Sequence, residues 1–219
     1  SFPVIYHFSD LRANILNWYP IKKSDSVLEI GAGCGAITGT LCEKAGQVTS
    51  VELSKRRAQI NYYRNEKKDN LTIMVGNLND MDLGQQYDYV VVNGVLEYAM
   101  SFTEGDTPYE TFLGKMGSYL KNTGKLLIAI ENKLGMKYFA GAPEDHTDIP
   151  FFGINGYPEN HSVRTFSKTE LQELVKKSGF PFQKFYYPYP DYKFPTEIFT
   201  DASLTTNHYG KNYPIYTDK

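Results

Sequence analysis

Glu29, the glycines at 31, 33 and 35, and Glu52 form a set whose types and spacing point to a ligand pocket. Glu29 sits near the end of a short apolar run, Val27-Leu28-Glu29-Ile30. The loop Gly31-Ala32-Gly33-Cys34-Gly35 follows, and Ile37, Leu41 and Ala45 then recur at helical spacing. A glycine turn between strand and helix offers main-chain N–H groups to a ligand with no Cβ in the way. In open α/β sheets such ligands lie at the carboxyl ends of the strands. Two ligand classes match. Gly31, Gly33 and Ala36 meet the dinucleotide spacing G-x-G-x-x-G/A, and Glu52 lies about 20 residues on, where an acid for a ribose is expected. Glu29 argues for a different ligand, because a carboxylate beside the loop repels a pyrophosphate and attracts an ammonium group. A second set, Glu144-Asp145-His146, joins two carboxylates to an imidazole that titrates near neutral pH and is suited to taking a proton. His161, Tyr138 and Arg164 follow as candidates. Adjacent residues rarely converge on one ion, so no metal is expected there.

Glu29-Ile30-Gly31-Ala32-Gly33-Cys34-Gly35 fits every position of E/D-x-G-x-G-x-G, and on this motif the chain resembles the class I S-adenosylmethionine (SAM)-dependent methyltransferases. That resemblance implies SAM as cofactor, a molecule with an amino group and a ribose but no phosphate. It implies contacts from Glu29, Gly31, Ala32, Gly33 and Gly35, and from Glu52 and Leu53 at the acidic position of the family's second motif. Asn77 and Leu78 stand where the family commonly places an Asp on the adenine amino group. The amide oxygen of Asn77 can accept that bond without a charge, and Asp80 and Asp82 are the substitutes if the register differs. Asn93, Gly94 and Val95 open the stretch Asn93-Gly94-Val95-Leu96-Glu97-Tyr98, which resembles the fourth motif beside the transferring methyl. The chain has no N/D-P-P-Y/F sequence, which disfavours nucleobase and glutamine-amide acceptors.

The resemblance therefore implies methyl transfer to a hydroxyl of a small molecule or glycan, with His146, Asp145 and Glu144 as the catalytic group. The segment after the fifth strand resembles methyltransferases linked to bacterial glycosyltransferase and surface-polysaccharide loci, which suggests a glycosyltransferase partner or a homodimer. Two other readings are a SAM-fold module without activity that packs on a glycosyltransferase, and an NAD-dependent oxidoreductase.

Strand and helix alternate around these residues. Further strands are expected at 47–51, 71–75, 87–92 and 125–130, with helices at 55–64 and 109–120 between them. The near-continuous apolar run Tyr87-Asp88-Tyr89-Val90-Val91-Val92 suits a central parallel strand. Two last strands are expected at 182–187 and 196–200, separated by the aromatic loop Pro188-Tyr189-Pro190-Asp191-Tyr192. The expected fold is α/β: a doubly wound, seven-stranded, mostly parallel sheet with an antiparallel edge strand and helices on both faces. An aperiodic insertion after strand five, about 131–166, reads as a substrate lid, since such stretches in compact domains are usually functional. Residues 1–24 read as a helical cover in which Leu11, Ile15 and Trp18 share a face before Pro20, with Tyr6 and His7 as cofactor neighbours. Residues 25–200 form the SAM-binding domain. Ser167 and Glu170 make a capping box for a helix through Val175. Residues 201–219 read as an irregular tail.

Composition bounds the rest. A chain of 219 residues with 41% hydrophobic and 22% charged content can build one good-sized core. Its net charge of −2 gives no basic footprint for nucleic acid. No apolar run reaches membrane-spanning length. Cys34 and Cys42 read as reduced packing residues of a cytoplasmic protein. Starting at Ser1, the chain reads as a piece of a longer protein. The 18 Tyr and 13 Phe are in excess and crowd the C-terminal third, where they supply walls for the expected lid.

Overall fold

Leu28, Ile30, Val90 and Val92 face one side of a sheet, while Val27, Val48, Tyr89 and Val91 face the other, and all are buried. That two-sided burial is what a central parallel strand requires. The structure, a computed structural model, describes residues 2–158 and 162–204; His161 and 205–219 lie outside them. In chain order the elements are α1 (Phe2–Phe8), α2 (Asn14–Asn17), β1 (Ser26–Ile30), α3 (Thr38–Lys44), β2 (Gln47–Glu52) and α4 (Lys55–Arg64). Next come β3 (Leu71–Val75), β4 (Tyr87–Asn93), α5 (Ala99–Phe102), α6 (Pro108–Ser118), β5 (Leu120–Ala129) and α7 (Met136–Phe139). The last are α8 (Lys168–Lys177), β6 (Tyr186–Tyr189), β7 (Glu197–Thr200) and α9 (Asp201–Leu204).

The main sheet has five parallel strands in the order β3-β2-β1-β4-β5. From β3 the chain returns across β2 and β1 to place β4 beside β1. The order therefore reverses between β1 and β4, and the crevice for a ligand opens at their carboxyl ends. Phe112, Leu113 and Met116 of α6, with Leu174 of α8, pack on the Leu28 face. Ile37, and Leu41 of α3, with Leu16 and Ile21, pack on the Val27 face. The sheet is thus covered on both sides.

Among the described residues the sheet has five strands and not the expected seven. There β6 and β7 pair with each other, antiparallel, from Tyr186↔Thr200 to Tyr189↔Glu197. Pro188 lies inside β6 and brings no N–H, so that strand suits a one-sided pairing rather than a ladder continued onto β5. β6 also starts later than expected and takes in Pro188 and Tyr189, which the sequence placed in the loop. The turn signal Lys121-Asn122-Thr123-Gly124 falls within β5 instead of before it. The pairing jumps from Tyr87↔Leu120 to Tyr89↔Lys125, so the turn survives as a bulge in a strand.

The expected apolar face at the N-terminus is also corrected. Leu11 and Trp18 are 45% and 43% exposed, whereas Arg12 and Leu16 are buried. Ser9 interrupts the helix by accepting the Leu11 N–H at 3.3 Å, which starts a 3-10 turn over Asp10–Ala13 and rotates the buried side. Arg12 is held with its guanidinium 4.3 Å from the Tyr6 ring centre, donating to the Lys193 carbonyl at 3.1 Å.

The capping box forms as expected. Ser167 Oγ accepts the Glu170 N–H at 3.3 Å, and Glu170 Oε2 accepts the Ser167 N–H at 2.8 Å. Lys133 donates to Glu170 Oε1 at 2.6 Å and so ties the chain after β5 to α8. Burial would raise the Glu170 carboxyl, but the Lys133 ammonium and the Ser167 N–H overcome it and hold it at about 2. A depressed carboxylate stabilises the fold above its ordinary value and loses that contribution as pH falls toward about 2. Ser167→Ala is expected to cost about 1 kcal/mol in urea unfolding at neutral pH. The gap between wild type and Glu170→Gln should close as pH falls from about 4.5 to about 2, and a gap independent of pH would refute the assignment.

Candidate active site

The loop after β1 is shaped by left-handed residues: Gly31, Gly33 and Gly35 have φ of +68°, +55° and +76°. At Gly31 an added Cβ would lie 2.3 Å from Val95 Cγ2, so the loops after β1 and β4 touch across the point where the strand order reverses. The loop runs in turns as far as Ile37, and α3 begins at Thr38, so Ile37 stands just before the helix. Glu52, only 3% exposed, ends β2. Its carboxylate accepts the Gly33 N–H at 2.8 Å and the Ser54 N–H at 2.8 Å, and pairs with Arg57 at 2.9 Å. The glycine loop and the strand-two acid are therefore one unit. Leu53 beside it is 60% exposed, an apolar surface next to a buried acid.

Glu29 lies beneath the loop. Its Oε2 accepts the hydroxyls of Thr38 at 2.7 Å and Ser50 at 2.6 Å. Asn61 donates to Thr38 Oγ1 at 3.1 Å, and Asn65 donates to Asn61 Oδ1 at 2.8 Å, so a polar chain runs from β1 through α3 to α4. Burial pushes the Glu29 carboxyl up, and the two hydroxyl bonds oppose that only in part. Its direct partners are thus hydroxyls of the protein.

After β3, the Asn77 oxygen accepts the Asn79 N–H at 3.1 Å and caps a 3-10 turn over Leu78–Asp80. The oxygen expected to reach an adenine is thus engaged locally, and Leu78 is buried in the core. After β4, the Oδ1 of Asn93 is buried with no hydrogen-bond partner among the described residues. This orphaned acceptor stands at the carboxyl end of the strand beside the crevice.

The trio Glu144-Asp145-His146 does not converge. Glu144 Oε2 accepts the N–H groups of His146 at 2.9 Å and Thr147 at 2.8 Å, and its other oxygen accepts Tyr157 Oη at 3.1 Å. Asp145 pairs with Lys137 at 2.7 Å and accepts Tyr138 Oη at 2.5 Å. Successive side chains in a turn point apart: Glu144 is buried against the turn itself, and His146 faces a different set of groups. Its Nδ1 lies 2.8 Å from Tyr98 Oη and its Nε2 lies 3.7 Å from Glu131 Oε2.

Glu97 and Glu131, 1% and 5% exposed, complete this cluster with His146. Lys193 donates to Glu131 Oε1, which also accepts Tyr192 Oη at 3.3 Å. Burial raises Glu97, the facing charge of Glu131 adds to it, and the acid is pushed up to about 8. Burial would raise Glu131 too, but His146 and Lys193 outweigh it and hold it at about 2. Burial would lower His146, yet the facing carboxylates of Glu131 and Glu97 leave it raised on balance. The sequence places Glu97 and Tyr98 in the stretch after the fourth strand and position 131 at the start of the expected lid, but nothing local joins positions 97, 131 and 146. The cluster adjoins the loop after β4: a Cβ on Gly94 would lie 2.9 Å from Tyr192 Oη and 3.5 Å from Glu97 Oε1. Two shallow clefts around Gln85 and Gln86 lie instead at the amino ends of the strands, away from the crevice.

A parallel five-stranded sheet with this reversal, a glycine loop after β1 and an acid at the end of β2 is the doubly wound α/β arrangement that binds ligands at the switch point. Residues 28–126 match the family described as a methyltransferase domain. Over 163 residues the chain is 26% identical to malonyl-[acyl-carrier protein] O-methyltransferase of Priestia megaterium, covering 74% of this chain and 48% of that protein. It therefore spans about half the length of that curated relative. Its fold is similar to the YcgJ protein of Bacillus subtilis, with a TM-score of 0.57 and 17% identity over 84% of this chain and 75% of that one. It is also similar to Haemonchus contortus phosphoethanolamine N-methyltransferase 1, solved with phosphoethanolamine and S-adenosylhomocysteine. There the TM-score is 0.55 and the identity 20%, over 74% of this chain and 32% of that one. That family match takes in 99 of the chain's 219 residues, and the likeness to the solved structures shows the fold. Among the described residues no helix is long and apolar enough to cross a membrane.

Proposed function

We propose that the chain transfers a methyl group from SAM to a hydroxyl of a small molecule or glycan. The observation that carries this reading is the adjacency of two halves. The Gly33–Glu52 unit and the loop after β4 line one crevice, and the buried acid–imidazole cluster lies directly behind Gly94. The cofactor would rest on Gly31, Ala32, Gly33 and Gly35, on Glu52 and Leu53, and on the loops bearing Asn77, Leu78, Asn93, Gly94 and Val95. Bound there, it supplies a sulfonium methyl whose leaving group is a neutral thioether. Glu29 holds the loop from beneath through Thr38 and Ser50, and the orphaned Asn93 Oδ1 offers an acceptor to the ammonium.

A hydroxyl acceptor must lose a proton as it is methylated, and a basic cluster at the crevice suits that need. His146, set by Tyr98 and facing Glu131 and Glu97, is the proposed proton-handling group. Asp145 and Glu144 position it: Asp145 holds Lys137 and Tyr138, and Glu144 closes the turn that carries the imidazole. The segment 131–166 acts as the lid. What supports this reading is that Asn132 pairs with Phe166 and the Arg164 N–H donates to the Glu97 carbonyl at 3.0 Å, which holds both ends of the segment beside the cluster.

Calorimetry with SAM, S-adenosylhomocysteine and NAD(H) tests the first half. The SAM ligands should bind and NAD(H) should not; tighter NAD(H) binding overturns the proposal. Glu52→Ala is expected to weaken S-adenosylhomocysteine by about 1–3 kcal/mol, through the lost charged hydrogen bonds and the loosened Gly33 N–H. Unchanged affinity would remove Glu52 from the site.

A further inference from the structure

Three buried polar atoms converge inside this fold with no hydrogen bond among them, His146 Nε2 standing 3.7 Å from Glu131 Oε2. Glu97 Oε2, Glu131 Oε2 and His146 Nε2 are each buried and without a hydrogen-bond partner among the described residues. Glu97, Glu131 and His146 each present one ligand atom, and these atoms all lie within 4.8 Å of one another. Buried polar atoms normally find partners, so a group of three aimed at one point calls for something positive between them.

We propose that Glu97, Glu131 and His146 bind a divalent cation. Donors about 2.1 Å from a first-row ion stand roughly 3 Å apart at right angles and about 4.2 Å apart when opposite, so small side-chain rotations would close the set. The surrounding charges agree. Lys137 is shared by Asp145 and Asp191, and Lys193 by Glu131 and Asp145. With Glu97, that places four carboxylates against two ammonium groups, and a divalent ion supplies the missing charge.

The imidazole is set up for ligation. With the proton on Nδ1 donated to Tyr98 Oη at 2.8 Å, the Nε2 lone pair points at the two carboxylates. A histidine ligand commonly has such an outer partner, which fixes its tautomer and ring plane. Tyr192 and Lys193 do the same for the far oxygen of Glu131. Two carboxylates and one imidazole form a mixed oxygen–nitrogen set, which favours Mn²⁺, Fe²⁺ or Zn²⁺ over the all-oxygen sites of Ca²⁺. Three protein ligands leave coordination positions open. The site stands on these side chains alone. Within the methyltransferase reading, on which this last step rests, an open position beside Gly94 would take an oxygen of the acceptor and favour acceptors able to chelate, such as a vicinal diol.

The test is ion binding by the apo protein, without cofactor or acceptor, using Mn²⁺ and Zn²⁺ as probes. Wild type should bind one ion per chain, and its melting temperature should rise with ion concentration. Glu97→Gln, Glu131→Gln and His146→Gln should each weaken binding tenfold or more. Spin-echo spectra of the bound Mn²⁺ should show nitrogen coupling from one imidazole, a readout on wild type that does not depend on any variant folding. No binding up to millimolar ion, no nitrogen coupling, or affinity unmoved by all three substitutions would overturn the site. Loss of His146 costs turnover whether it ligates an ion or takes the proton itself, so the titration decides and activity does not. SAM binding is measured separately, and its failure would strike the methyltransferase reading while leaving the cation site standing.

Discussion

His146→Ala is expected to lower turnover by about a hundredfold or more while S-adenosylhomocysteine affinity stays within about twofold. The reason is position. The imidazole comes from the segment after β5 and touches Tyr98 and Glu131, whereas the groups proposed for the cofactor sit on the loops after β1 to β4. Turnover would be read as transfer of a labelled methyl group to a panel of sugar and phenol acceptors, and affinity by calorimetry. Removing the ring leaves Glu131 with Lys193 and Tyr192 as partners, so the fold should persist. A parallel fall in cofactor affinity would place His146 in the cofactor pocket instead. Unchanged turnover would remove it from the reaction.

The second large effect separates two glycines of one loop. Gly35→Ala places a Cβ 2.2 Å from Asn61 Oδ1 and 2.8 Å from Asn65 Nδ2, at a φ of +76°. Those two amides continue the chain that reaches Glu29 through Thr38. The left-handed strain and the forced repacking together should cost about 2–5 kcal/mol of stability. Gly33→Ala meets no atom within 4 Å, so only the strain of its φ of +55° remains, about 1–2 kcal/mol. Its methyl would instead project into the open side of the loop, where the cofactor is proposed to lie. Gly33→Ala should therefore keep the fold and lose tenfold or more in S-adenosylhomocysteine affinity. Urea unfolding and calorimetry on both variants check this. Unchanged S-adenosylhomocysteine affinity in Gly33→Ala would mean that the loop faces no ligand at Gly33.

The glycine loop and Glu52 were legible because their chemistry is local: three glycines in five residues and an acid at a strand end carry their meaning in their spacing. The central strands β1, β2 and β4 were legible because two-sided burial writes continuous apolar runs. The role of Glu29 was only half legible. Its charge was visible, but its engagement by Thr38 and Ser50 depends on which face of β1 it takes and on the helix laid over it. Asn77 was read for an amide that the fold spends on capping its own turn. The β6–β7 pair was misplaced because order along the chain does not specify which edge a strand joins. The trio at 144–146 was misread for the opposite reason. Adjacency in sequence suggested a shared site, while the true neighbours of His146 stand at 97, 98 and 131.

Arg12 donates to the Lys193 carbonyl and Asn14 donates to the Pro195 carbonyl at 2.8 Å, so a segment near residue 12 waits for one near residue 194. All five strands of the main sheet lie between Ser26 and Ala129. During synthesis the glycine loop, Glu52 and the sheet can therefore come together long before Lys193 leaves the ribosome, because a domain builds from the chain already available. Closing so distant a contact is slow compared with pairing neighbouring elements. The two halves of the crevice thus have different ages in the life of each molecule: the half proposed for the cofactor exists first, and the half that holds Glu131 in register is the last to be made.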